Sequence, residues 1–169
     1  TMTVTSSFAV GTSPSYGTLY AEDMSTVAGQ PDLLVISQKR LSVSPRHNGV
    51  AVYDNGVARP TKTQDHTGSN FIEPSADPTI FFGYNTESTE YGFRTLKLGA
   101  TGMSQLQVNG GLFDGFNLEM RSDGDYVCAS SGVAVNGPQL RRLGTNHQST
   151  ERRIGFFTGI ADTRHLTRT

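Results

Sequence analysis

Apolar residues in this chain gather in short runs separated by Gly, Pro, Asn and Asp, and the runs themselves recur. Ser25-Thr26-Val27 precedes Asp32-Leu33-Leu34-Val35-Ile36, Asn70-Phe71-Ile72 precedes Pro78-Thr79-Ile80-Phe81-Phe82, and Phe116-Asn117-Leu118 precedes Asp125-Tyr126-Val127-Cys128-Ala129. Val35, Phe81 and Val127 stand 46 residues apart at equivalent places in the pattern. A fixed period of this length marks a repeat unit, because each unit is one supersecondary element that buries its apolar face only by stacking on the next. A weaker fourth copy ends in Ile154-Gly155-Phe156-Phe157.

The remaining runs complete each unit. Gly49-Val50-Ala51-Val52-Tyr53 leads into Asp54-Asn55-Gly56, where Asn-Gly tolerates positive φ and predicts a tight hairpin to Val57-Ala58-Arg59, with Pro60 ending that strand or placing it at an edge. Gly92 to Leu98 alternates apolar and polar residues and turns through Gly99 to Gly102 into Ser104 to Val108. Gly132 to Val135 and Gln139 to Leu143 supply the third pair, and Gly132 to Val135 repeats Gly49 to Val52 after 83 residues. No window sustains a helical period. The expected fold is all-β, with propeller blades of four-stranded antiparallel meanders, about three and a half in number. The blades are placed at residues 23–66, 67–112 and 113–145, with a partial blade over 146–169. Residues 1–22, with Phe8-Ala9-Val10 and Thr18-Leu19-Tyr20, form the outer strand of a preceding blade or a connector. A β-sandwich also fits the strand spacing, but sandwich strands need no period near 46.

Composition narrows the class. With 169 residues, 35% hydrophobic content and net charge −1, the chain can bury one ordinary core. No apolar run approaches the roughly 18 residues of a membrane span, and no leader pattern is present. The chain opens on Thr1, as a trimmed piece would, so the missing leader carries no weight. Cys128 is the single cysteine, which excludes an internal disulfide and a multi-cysteine zinc site; buried packing in an apolar strand is its expected role. Residues 121–169 hold seven Arg against four Asp and Glu, whereas residues 1–120 hold seven Lys and Arg against eleven acids. Arg141-Arg142 and Arg152-Arg153 lack the interleaved aromatics of a stacking platform, so a solvated outer-strand face is expected there and nucleic acid is not an expected partner.

Arg121-Ser122-Asp123-Gly124-Asp125-Tyr126-Val127-Cys128-Ala129-Ser130 resembles the Ser-x-Asp-Gly-x-x-Val-Tyr-Val-x cassette of bacterial surface-layer, YVTN-type and lactonase-like β-propellers. There the Asp-Gly turn joins the first two strands of a blade. The stretches Gly49 to Val57, His66 to Asn70 and Gly83 to Arg94 are also similar to repeats of large secreted bacterial propeller proteins. The resemblance implies a fold and an extracellular or cell-surface setting, but no single activity.

Rings of this kind usually close with four to eight blades, and closure protects the edges and covers the blade faces. Three and a half blades cannot close, and neither end reads as a cap, since Ile154 to Phe157 is as apolar as an interior strand. Closure by a second copy or a complementary chain is therefore expected.

Candidate sites lie in polar loops. Asp65, His66, Ser69 and Asn70 fall between two blades, where loops carry function; with Glu73, Asp65 and His66 could ligate a metal, although backbone hydrogen bonding by His66 and Ser69 explains them more simply. Tyr84, Asn85, Glu87, Glu90 and Tyr91 combine aromatics, carboxylates and an amide, the groups that hold sugars. Their simpler role is a hydrated loop capped by Thr and Ser, and an acid/base pair in Glu87 and Glu90 is a weaker reading still. Glu73 and Glu119 lie on entry segments where a central metal of a propeller enzyme would draw its ligands. Ser122-Asp123-Gly124-Asp125 offers oxygens to calcium without the twelve-residue loop, and turn chemistry accounts for it. Thr1 as an N-terminal nucleophile has no supporting neighbours, and His47, His147 and His165 show no paired spacing. No nucleophile elbow or phosphate loop is present. Two classes remain: a non-catalytic binding or scaffold module for a protein or glycan, needing no cofactor; and a lactonase- or glycosidase-like propeller enzyme using a central metal or carboxylates.

Overall fold

The computed structural model describes residues 7–145, which form an all-β arrangement with no helix among them. After a short hairpin of β1 (Thr12–Ser13) and β2 (Gly17–Thr18), three four-stranded antiparallel meanders follow in sequence. The first joins β3 (Tyr20–Val27), β4 (Gln30–Lys39), β5 (His47–Asp54) and β6 (Val57–Ala58). The second joins β7 (Phe71–Pro74), β8 (Ile80–Tyr84), β9 (Phe93–Gly99) and β10 (Gly102–Asn109). The third joins β11 (Met120–Asp123), β12 (Tyr126–Ala129), β13 (Val133–Asn136) and β14 (Arg141–Thr145). Each sheet keeps sequence order, as a blade does. The weak fourth copy, with Arg152-Arg153, His147, His165 and Thr1, lies outside the described residues.

Local chemistry sets the turns. Tyr53 pairs with Ala58 and Asp54 with Val57 around Asn55 (φ 47°) and Gly56 (φ 80°), the two-residue turn whose twist matches that of its strands. Asp123 pairs with Tyr126 across Gly124, so the Asp-Gly turn does join the first two strands of the third sheet. The first strand of that sheet is Met120–Asp123, however; Phe116-Asn117-Leu118 is loop, with Asn117 at φ 56°. Arg141 and Arg142 are exposed on an outer strand, as their pattern implies.

The sheets stack through two cores. Leu33, Val35, Val50 and Val52 of the first sheet meet Ile72, Phe81, Leu96 and Met103 of the second. Phe82, Tyr84 and Phe93 on the opposite face of the second sheet meet Met120, Val127, Val133 and Val135 of the third. Phe113, from the connection between these sheets, packs edge-on to Tyr84 and Phe93, with ring centroids 5.4 Å apart in both cases.

The sequence period does not carry over to facing. Phe81 and Val127 each look back at the preceding sheet, but Val35 looks forward at the following one, and Ile36 holds the backward-facing place. A shift of one residue exchanges the two faces of a strand, and repeat spacing alone does not reveal it.

Aligned by facing, the innermost strands carry Asp23, Glu73 and Arg121 at one structural position, each opposite the residue after the backward-facing one. Asp23 Oδ2 accepts the Ile72 N–H at 2.8 Å, and Glu73 Oε2 accepts the Ser122 N–H at 3.3 Å. Carboxylates at this position therefore clip one blade to the backbone of the next. In the third sheet Arg121 takes the place and reaches back to Glu73 Oε1 at 2.8 Å.

The N-terminal segment corrects the expectation of two uncapped ends. Residues 7–19 are neither a preceding blade nor a bare connector: they lie over the outer face of the first sheet, formed by Ile36, Ala51 and Tyr53. Tyr53 donates its hydroxyl hydrogen to Val10 O (2.5 Å) and accepts from Gln38 Nε2 (2.7 Å), while its ring lies 5.2 Å from that of Phe8. Met24, nearer the innermost edge, stays exposed. The first blade also begins earlier than expected, at Tyr20. Cys128 points away from the second sheet and is half-buried rather than fully enclosed, and burial raises its thiol pKa.

Candidate functional site

Successive connections of a meander alternate between its two ends. The β4–β5 loop (40–46), the β8–β9 loop (85–92) and the two inter-sheet connections (59–70 and 110–119) therefore share one end of the stack. Their polar side chains form a continuous cluster in two parts.

The inner part centres on Arg46. Its guanidinium bonds Glu22 Oε1 at 2.6 Å and approaches Glu87 Oε1 at 3.5 Å, while its backbone N–H donates to Glu87 Oε1 at 2.7 Å. Asn70 donates its amide to the other oxygens, Glu22 Oε2 at 3.1 Å and Glu87 Oε2 at 3.3 Å, and accepts the Thr86 N–H. The two carboxylates are only 5% and 8% exposed, whereas Arg46 is 35% exposed. Two like charges drawn together at low exposure need such a cation and such donors, because nothing else offsets their lost hydration and mutual repulsion.

The outer part lies under the β4–β5 loop. Arg40 pairs with Asp65, bonds Asn48 Oδ1 at 3.0 Å and carries the Tyr16 ring 4.6 Å above its guanidinium. Lys62 donates to Asn48 O and to Gln38 Oε1, and burial lowers its pKa. Beneath them His47 is fully buried; its Nε2 accepts the Ser69 N–H at 3.2 Å, and its Nδ1 has no partner. Burial, reinforced by the positive charges of Arg94 and Lys62, pulls the His47 pKa down to about 3, so the ring is neutral. Gly68 makes this approach feasible, since a Cβ there would sit 2.1 Å from His47 Nε2. His47 is thus an interior residue, which its scattered polar neighbourhood in the sequence conceals.

The sequence candidates fall into three groups. Asn70 and Glu87 come together at Arg46, as described. Asp65 and His66 are exposed, Asp65 tied to Arg40 and His66 at φ 69° with Nδ1 2.9 Å from Thr67 Oγ1. Ser69, Tyr84 and Asn85 are buried within the loop walls, where they position the chain rather than meet solvent. Tyr84 donates to Gly115 O at 2.8 Å, and burial raises its pKa. Asn85 Oδ1 accepts the Glu87 and Ser88 N–H groups, and its amide donates to Glu90 Oε2 at 2.8 Å. Burial works against the charge of Glu90, but hydrogen bonds from Asn85, Arg94 and Gly92 hold its pKa below the usual value. Tyr91, at φ 44°, is partly buried against the second core and meets the exposed Phe116 edge-on, with centroids 5.0 Å apart.

Glu73 and Glu119 do not converge. Glu73 is occupied by Arg121 and Ser122, and Glu119 is exposed with its N–H donating to Ser130 Oγ. Among the described residues no three His, Cys, Asp or Glu side chains gather as a metal site. Arg46 and Phe116 carry no local signature. Only Glu22, beside Asp23 on an innermost strand, has a readable cue, because acids there meet the next blade.

Fold and site together define an all-β protein of blade-like antiparallel meanders with a polar loop cluster at one end. No protein-family model, curated protein or solved structure matches this chain.

Proposed function

We propose that this chain is a non-catalytic binding or scaffold module of propeller-type blades, which closes by pairing with a second copy or a complementary chain and holds a protein or glycan through its inter-blade loops. The observation that carries this reading is the loop cluster itself. Glu22, Arg46, Asn70 and Glu87 are locked by mutual hydrogen bonds at the end of the stack where Phe116 stands exposed against Tyr91. Fixed polar groups next to an exposed aromatic face suit sugars or a polar peptide, since little ordering cost remains on binding. An extracellular or cell-surface setting rests on the resemblance in the blade cassettes. The covered outer face of the first sheet directs pairing toward the third sheet, where Tyr126 is exposed.

A glycan-array screen and sedimentation of the purified chain test this reading. Binding that Phe116→Ala removes, and a mass above the 18.2 kDa of one chain, are expected. A monomer at all concentrations overturns closure, and array binding that survives Phe116→Ala overturns the loop surface.

One observation favours the enzyme reading: Glu22 and Glu87 converge on a shared Asn70 amide. Hydrolysis of aryl glycosides that is abolished by Glu87→Gln would move the assignment to a glycosidase-like protein.

A further inference from the structure

Asn-Gly steps stand at Asn48, Asn55, Asn109 and Asn136. Each carries latent chemistry, because asparagine is thermally labile and a following glycine has no side chain to shield its backbone nitrogen from the carboxamide. Reaction requires that nitrogen, stripped of its proton, to reach the asparagine Cγ. Both groups must therefore be free, and the local backbone must be able to open.

Three of the steps are held. Asn48 is buried, with Oδ1 accepting from Arg40 Nε and its amide donating to Gln38 Oε1, both at 3.0 Å. Asn136 Oδ1 accepts the Gln139 N–H at 2.9 Å, and the Gly137 N–H, the group that would react, is donated to Asp125 O at 2.8 Å. Asn109 pairs with Phe93 in the ladder and its amide reaches Leu140 O at 3.4 Å, while a Cβ at Gly110 would sit 2.8 Å from Glu90 O.

Asn55 is not held in this way. It stands exposed at the tip of the β5–β6 hairpin, and among the described residues nothing holds its carboxamide or the Gly56 N–H. Its own N–H is donated to Asp32 O at 2.9 Å, which anchors the residue without engaging either reacting group. The tight turn must relax before the nitrogen reaches Cγ, but β6 is only Val57–Ala58, both exposed, so opening it disturbs little. The N-terminal segment does rest on this turn: Phe8 packs over Gly56, where a Cβ would lie 3.0 Å from its ring.

We propose that Asn55 is a spontaneous modification site, converted through a cyclic imide to aspartate and isoaspartate, and that isoaspartate there loosens the N-terminal cover of the first sheet. The Gly56 nitrogen, its proton lost to solvent hydroxide, bonds to Asn55 Cγ while the Cγ–Nδ2 bond breaks, and the amide nitrogen leaves as ammonia. Water then opens the ring. Addition at Cγ leaves aspartate, whereas addition at the backbone carbonyl leaves isoaspartate, whose main chain runs through the former side chain and is one carbon longer. A two-residue turn sets the pairing of Tyr53 with Ala58 and Asp54 with Val57, and the longer chain no longer matches it. Phe8 loses its seat with the turn.

Peptide mapping by mass spectrometry of the full chain, aged at pH 8 and 37 °C, tests the site, and a parallel sample in concentrated urea supplies the rates of the unfolded chain. In urea the Asn-Gly steps should convert at similar rates. In the folded chain Asn55 should convert about tenfold or more faster than Asn48, Asn109 and Asn136, since each hydrogen bond that must break first slows reaction about fivefold. The isoaspartate form, separated from the aged sample, should show faster amide exchange at residues 7–19. Asn55→Asp, which carries the same charge on an unaltered main chain, should leave that exchange close to the parent rate. Earlier conversion at any of the other three positions in the folded chain, or Asn55 still intact when the urea sample has converted, would overturn the site. Unchanged exchange at residues 7–19 in the isoaspartate form, or an equal increase in Asn55→Asp, would overturn the link to the N-terminal cover.

Discussion

His47 should make this fold acid-sensitive well above the range in which carboxylates titrate. Its pKa falls from 6.5 to about 3 because it is enclosed and because Arg94, Lys62 and Arg40 face it, with Asp65 opposing them. In the unfolded chain the ring regains its ordinary pKa. Above pH 6.5 both states are neutral at this residue and the stability associated with it is fully present. Below 6.5 the unfolded chain takes up a proton that the folded chain does not accept until about pH 3, so stability is lost as pH falls through that window. Each pH unit is worth about 1.4 kcal/mol, so at pH 4.5 the loss comes to about 3 kcal/mol. That is a large share of a typical domain's stability. His47→Gln removes the titration while leaving an oxygen that can accept the Ser69 N–H. Urea unfolding followed by far-UV circular dichroism, required because the chain has no Trp, would be measured for both proteins from pH 7.5 to pH 4.5. The variant is expected to be less stable at pH 7.5 and to lose less on acidification, closing the gap by about 3 kcal/mol. Glu90 and Asp77, whose pKa values are also lowered, contribute equally to both curves and cancel. Parallel curves would refute the burial of a neutral ring.

Gly102→Ala should destabilise by about 3 kcal/mol or more, since its Cβ would lie 1.8 Å from the Thr61 carbonyl oxygen at φ 136°; urea midpoints check this. Tyr53→Phe removes the bond to Val10 O and should cost about 1 kcal/mol, with faster amide exchange or proteolysis confined to residues 7–19. Glu73→Ala breaks the clip between the second and third sheets, and a loss of about 1–2 kcal/mol is expected, with the largest amide-exchange increase at Ser122. An unchanged exchange rate there would remove the clip from the account of blade stacking.

Which runs become strands, and where they turn, was decided locally. Alternation at period two in Phe93 to Leu98, the Asn55-Gly56 pair and the Asp123-Gly124 step act through nearest neighbours and backbone sterics, so the chain alone specifies three four-stranded meanders. Phe116 to Leu118 misleads for the same reason: apolar residues in a connection resemble a strand until the sheet's hydrogen bonds are placed. What the tertiary structure alone decided is how the sheets face and which distant polar groups meet. The one-residue offset of Val35 against Phe81 and Val127 depends on stacking against neighbouring sheets, and β3 against β4 carries two register shifts that no local pattern announces. Glu22, Arg46 and Glu87 come from three separate segments, 24 and 41 residues apart, and only the alternation of connections between the two ends of each sheet brings them together. His47 reads as a polar loop residue until the second sheet closes over it. Desolvation and charge pairing are properties of the surroundings a residue acquires in the fold, and a one-dimensional pattern of residue types does not contain them.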